Sequence, residues 1–254
     1  MLHDTVSNLR PLARPATTPS ILPNAHELRL SARLLFVGTV LSLVVGLFHA
    51  DHAPANSHVA VFTDYAESGN WIAVHLGQFV GIAIFLAGLL VLSSALNITS
   101  GTLGQLCRFA TISAVVTLAL YGVLQAVDGV ALKHAVDAWA NAPEAEKTVR
   151  FTNAETIRWL EWAVRSYYSF MQGVGLVLFA AVIVATGRIA RPIGYLMAVS
   201  GLAYFAQGWV IGAEGFSANN TLPTLAGIVS VVLWTAWLLI VTWRLKEPVE
   251  ERAP

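Results

Sequence analysis

Cysteine is almost missing from this chain. Cys107 is the only one in 254 residues, so no intrachain disulfide is available and no CxxC redox or zinc motif exists. Charge is sparse as well: Asp, Glu, Lys and Arg make up 12% of the residues and the formal net charge is zero. No dense basic cluster occurs, which argues against nucleic acid as a partner. The long apolar runs contain no lysine, so a retinal-type Schiff base has no attachment point there. Proline is missing from the middle of those runs, with Pro192 and Pro223 standing at their starts; this disfavours the broken midplane helices of alternating-access transporters. HExxH is absent, and no two histidines fall deep in separate runs to hold a haem. Nothing marks a serine such as Ser169 as the nucleophile of a Ser-His-Asp arrangement.

What the chain has is apolar sequence. Hydrophobic residues make up 56% of it, against roughly 45–50% in soluble domains. They gather into six stretches near 33–50, 72–96, 108–130, 163–187, 192–212 and 222–243, each long enough for a helix to cross about 30 Å of hydrocarbon. The expected fold is all-α, a polytopic membrane protein whose six-transmembrane-helix bundle occupies 29–245. A Pro-rich tail at 1–28, expected to be disordered, precedes it, and a short charged tail at 246–254 follows. Ten of the fifteen Lys and Arg fall on the side of both termini and five on the other. The positive-inside rule then puts both termini in the cytoplasm and the bundle in the plasma or inner membrane, with the lipid bilayer as its first partner. A cleaved signal peptide ending near Ala53-Pro54-Ala55 is the competing reading of the first span, weakened by the long leader and by the proline in the cleavage motif. Residues 134–157 read as an outer hairpin with some helix, and Thr152 with Glu155 matches a T-x-x-E capping box that would start the fourth helix.

Polar residues in the spans collect at one level. Counted from the cytoplasmic flanks, Gln78, Gln125, Gln172 and Gln207 lie about 5 to 8 Å inside the outer boundary, at ~1.5 Å per residue. His49, His52, His75, Asp128, Glu161, Arg165 and Glu214 come just above them. Helical spacing puts Tyr121, Gln125 and Asp128 on one face, as it does Ser200, Tyr204 and Gln207, and Glu161, Arg165, Tyr168 and Gln172. Intramembrane ionisable groups mark a site by default, and the layer reads as an outward-facing polar pocket for a small or amphipathic molecule, such as a lipid. His75, Asp128 and Glu161 are the candidates for catalytic acid–base work, because an imidazole titrates near neutrality and burial shifts carboxyl groups towards it. Arg165 would position an anionic group, while Gln78, Gln125, Gln172, Gln207 and Tyr168 would hold polar groups of the ligand. His49, His52, His75 and Asp128 have the donor chemistry for a borderline metal. No motif specifies a cofactor, a substrate or an oligomeric state.

Each feature also has a purely structural reading, in which the chain is an accessory or structural membrane subunit. Trp159, Trp162, Tyr167 and Tyr168 suit an aromatic belt at the headgroup level, and Glu161 with Arg165 forms an i, i+4 pair in the favoured order. The glutamines can act as interhelical glue. Gly77, Gly81 and Gly88, and likewise Gly194, Gly201 and Gly208, suit close helix packing.

One run, YAESGNWIAVHLGQFVG at 65–81, together with the layout of a basic first span and a short outer loop, resembles bacterial six-helix integral membrane proteins of unknown function. The resemblance implies a fold and assigns no catalytic residue.

Overall fold

The structure, a computed structural model, describes residues 23–50 and 53–244. Eight α-helices run in chain order as α1 (Ala25–Gly46), α2 (His58–Glu67), α3 (Trp71–Leu96), α4 (Gly101–Ala126), α5 (Lys133–Ala140), α6 (Glu144–Thr186), α7 (Arg191–Glu214) and α8 (Thr221–Trp243). A π-helical segment, Val127–Leu132, joins α4 to α5, and a 3-10 turn, Ala218–Asn220, precedes α8. Six of the helical stretches are long and apolar enough to cross a membrane. Their outward faces carry Leu76, Val115, Leu202, Trp209 and Ile240, all large and exposed, as a lipid-facing surface requires. The protein is an all-α, multi-pass membrane bundle.

Six crossings return the chain to the end it started from: the Arg29 guanidinium donates to the Thr242 carbonyl. At that same end Arg188 donates to the carbonyls of Leu96 and Asn97. His49, Trp71, Asp128 and Glu214 mark the opposite end.

Two of the helices are far longer than a bilayer needs. The stretch from Gly101 to Ala140 is 40 residues and α6 is 43, or about 60 and 65 Å at 1.5 Å per residue, roughly twice the hydrocarbon thickness. The hairpin expected at 134–157 is therefore mostly helix, turning only around 141–143. Thr152 starts nothing: it lies inside α6, and its hydroxyl donates to the Thr148 carbonyl one turn back. Glu155 faces α2 and accepts from His58 Nδ1 at 2.8 Å. Pro143, at the N-cap, and the acidic Glu144 and Glu146 of the first turn start α6 instead, complementing its dipole. At the other end of the chain α1 begins at Ala25, capped by the Asn24 side chain. The expected tail thus overlaps the first turn of α1, and its residues 1–22 lie outside the described residues.

The overshooting turns build a cap with its own apolar core. Val61, Phe62 and Tyr65 of α2 pack with Trp71, Leu132, Val136 and Ala154. Lys133 fixes the end of α2 by donating to the carbonyls of Tyr65 and Ala66 in its last turn. Inside the bundle the helices approach very closely through glycine. A Cβ at Gly88 would meet the Leu35 backbone nitrogen at 2.8 Å, and one at Gly201 would meet Val177 Cγ2 at 2.7 Å. The small-residue faces expected on the second and fifth spans are thus the α3–α1 and α7–α6 seams.

The Gly88 seam has no room to relax, because the obstacle is backbone. Gly88→Val should destabilise the protein by about 1–3 kcal/mol or abolish folding, read as a fall in thermal midpoint in detergent. Gly69→Ala, where an added Cβ meets nothing within 4 Å, should leave that midpoint unchanged.

Candidate functional site

Beneath the cap, all six spanning segments contribute to the wall of a cavity of about 480 Å³. Its wall is unusually ionic for a membrane bundle: His49, Asp128, Arg158, Glu161 and Arg165 all line it, beside Tyr65, Gln78, Tyr121, Gln125, Tyr168 and Tyr204. Charges at this depth cost several kcal/mol each unless paired, so the partners of each define what the site can do.

Arg158 and Glu161 neutralise each other. They sit three residues apart on α6, and Arg158 Nη1 donates to Glu161 Oε2 at 2.5 Å with both side chains 3% exposed. The guanidinium lies within about 6 Å of the Tyr65, Trp162 and Phe216 rings and reaches the Ala55 carbonyl. One side chain thereby ties α6 to the segment before α2, to α2 itself and to the segment after α7. Gly215 takes part: it has φ +68°, and a Cβ there would fall 2.5 Å from the Trp162 ring.

This pairing overturns the expected Glu161–Arg165 pair. Arg165 lies one turn further on and has no carboxylate within 4 Å among the described residues; it rests over the Tyr168 ring at 5.4 Å. Its Nε is buried without a hydrogen-bond acceptor.

A second ionic group forms where α3 enters the bundle. His75, 2% exposed, has Nδ1 2.8 Å from the Trp71 carbonyl. A carbonyl can only accept, so Nδ1 carries a proton. Nε2 faces Asp128 Oδ2 at 3.1 Å, but off hydrogen-bond geometry, and both Nε2 and the other Asp128 oxygen lack hydrogen-bond partners. Asp128 is presented by the π-helical segment, whose extra residue per turn turns it and Gly129 towards α3; such segments recur at functional sites. Trp71 donates from its indole nitrogen to the Asp128 carbonyl at 3.1 Å. Gly129 leaves the space for His75: a Cβ there would sit 2.6 Å from the His75 Cβ. His49, just past the end of α1, completes the corner with its ring 5.1 Å from that of His75 and 4.8 Å from Trp71. His52, the remaining metal candidate, lies outside the described residues.

The four glutamines do not form one ring. Gln78 and Gln125 line the main cavity. Gln207 lines a second, smaller chamber of about 140 Å³ and donates to the Pro223 carbonyl. Gln172 is buried but lines neither cavity, because a shared depth says nothing about which way a side chain points around its helix. Glu214 also stands apart, exposed at the end of α7, where it accepts from Ser217 and Asn219. The residue that the sequence reading passed over is Arg158. It is one of the five Lys and Arg on the side away from the termini, and its spacing of three from Glu161 and seven from Arg165 puts all three on one helix face.

The smaller chamber is mostly apolar, with Leu43, Phe85 and Val231 in its wall. It shares Ser42, Ile82, Arg165, Tyr204 and Ile228 with the main cavity. Arg165 and Tyr204 therefore stand at the junction of an ionic chamber and an apolar one.

Residues 102–242 match the family described as Domain of unknown function (DUF4386), which is more than half of the chain, and the protein belongs to that family. The matched region holds α4 to α8 almost entire, with Asp128, Arg158, Glu161 and Arg165. It leaves out the chain through α3, which supplies His49, His75 and Gln78 and contains the 65–81 run. Searches of curated proteins and of solved structures found no match.

A buried pair that is broken costs more than one that is replaced. Glu161→Ala should lower stability by about 3–5 kcal/mol by leaving Arg158 uncompensated, seen as a large drop in thermal midpoint. The double variant Arg158→Met with Glu161→Leu should recover most of that loss.

Proposed function

We propose that this member of the DUF4386 family binds an amphipathic molecule with an anionic head, taken from the outer leaflet or the outer aqueous phase. The observation that carries the reading is Arg165: a guanidinium with no carboxylate partner among the described residues, at the junction between an ionic cavity and an apolar chamber. A planar guanidinium binds carboxylate or phosphate through two parallel hydrogen bonds. The apolar tail then has a ready place among Leu43, Phe85 and Val231, and Tyr168, Tyr204, Gln78 and Gln125 offer hydrogen bonds to neutral parts of the head. In this reading the cavity opens away from the cytoplasm, since by sequence ten of the fifteen Lys and Arg flank the spans on the side of the two termini.

The chemistry available to a bound ligand is acid–base. His75 Nε2 faces Asp128 Oδ2 at 3.1 Å, and Glu161 is held beside Arg158 in the same wall. Helix glue is the competing account, and among the glutamines an interhelical hydrogen bond supports it at Gln207. Gln207 bonds a neighbouring helix and Gln172 is packed away, whereas the ionic residues surround a void that glue does not need.

A fluorescent C12 carboxylate and its methyl ester separate the two accounts. The carboxylate should bind the purified protein at least about tenfold more tightly than the ester, the worth of one charge-assisted contact of ~1.4 kcal/mol or more. Arg165→Met should remove that preference without lowering the thermal midpoint. Equal binding of acid and ester, or a preference that survives Arg165→Met, would leave helix packing as the role of the layer.

A further inference from the structure

We infer that His49, His75 and Asp128 form a binding site for one divalent transition-metal ion of borderline softness, zinc being the type. One ligand atom from each of the three lies within 4.8 Å of those of the other two. In a tetrahedral site with bonds of roughly 2.0–2.1 Å, ligand atoms stand about 3.3 Å apart. The His75–Asp128 pair, at 3.1 Å, already has that spacing. His49 closes the remainder by a side-chain adjustment, and its place two residues beyond the C-cap of α1 permits this.

The electrostatics of the corner call for a cation. His75 Nδ1 is committed as a donor to the Trp71 carbonyl, so Nε2 presents a lone pair whenever the ring is neutral. It presents that lone pair to a carboxylate oxygen. Two acceptors at 3.1 Å need a positive centre between them, either a proton or a metal ion. A proton would make a hydrogen bond, yet Nε2 is buried and outside hydrogen-bond geometry, as is the second Asp128 oxygen. The Nδ1 contact to a backbone carbonyl is also the arrangement that orients a metal-bound histidine and raises its basicity. Trp71 and Tyr65 wall the corner, and Gly129 keeps His75 in place.

The donor set selects the ion. Two imidazoles and one carboxylate favour zinc, cobalt or ferrous iron over calcium or magnesium, which prefer all-oxygen sites. Three protein ligands leave at least one coordination position open, and His49 and Asp128 both line the 480 Å³ cavity. That position is therefore available to water or to an anionic group. The metal site stands on its own observations and holds whether or not Arg165 binds an anionic amphiphile.

The test uses the full chain in detergent, stripped with chelator and then dialysed against zinc or cobalt(II) with no organic ligand present. The metal content should reach one equivalent per chain, and cobalt should give visible d–d bands. His49→Gln, which leaves the buried His75–Asp128 pair intact, should weaken cobalt binding by at least about tenfold, as losing even an outer partner of a metal ligand does. Asp128→Asn should do the same, with monodispersity and thermal midpoint reported alongside to separate lost metal from lost fold. Retention of less than stoichiometric metal by the native protein would overturn the site. So would cobalt bands that persist in the His49→Gln, Asp128→Asn double variant.

Discussion

The buried pair between Arg158 and Glu161 is the contact on which the rest of the site depends. Two charges taken out of water cost several kcal/mol each, and their attraction repays this only when geometry and further contacts are good. Here a 2.5 Å hydrogen bond and three flanking aromatic rings supply them. The pair also gathers α2 and the segments around Ala55 and Phe216 over the mouth of the bundle. An apolar pair could pack as well. It could not supply a carboxylate to the wall of the cavity.

Around that clamp the helices divide their work. The α1–α3 and α6–α7 seams are glycine contacts, so close that a single methyl group meets backbone or a branched side chain. These seams fix the partners of the two helices that carry the site, α3 with His75 and α6 with Glu161 and Arg165. The π-helical segment then re-aims one residue, Asp128, into the space between them. A six-residue departure from α-helix in an otherwise regular 40-residue stretch costs hydrogen-bond geometry, and what it gains is the approach of a carboxylate to a buried imidazole. The backbone irregularity and the ionic cluster thus occur at one place.

Much of this was legible in the sequence, and the gaps have physical causes. Length and apolarity located all six spans, because a bilayer sets a minimum run that soluble helices rarely need. They could not locate helix ends, since a helix that leaves the membrane continues wherever a cap can bury its next turns, as α6 does with Ala154. His75 and Asp128 were found by depth, and their meeting was a matter of two residues at one level on neighbouring helices. Depth failed for Gln172 and Gln207, which share the level and point elsewhere. Arg158 was missed because an arginine ahead of a span is usually a solvated flank. The signal lay in its spacing from Glu161 and Arg165. The π-helical segment left no mark in the sequence beyond the glycine after Asp128.

The proposed function needs the ionic layer to line a hydrated cavity open to the outside of the cell, and thiol labelling tests that most directly. The native Cys107 is 2% exposed at the far end of α4 from the cavity, so a Cys107→Ala background removes it. Gln125→Cys then places one thiol in the cavity wall. On intact cells a membrane-impermeant maleimide should label that thiol, as it can only if water reaches the wall from outside. Labelling only after the membrane is permeabilised, or none with the folded protein present, would contradict the account.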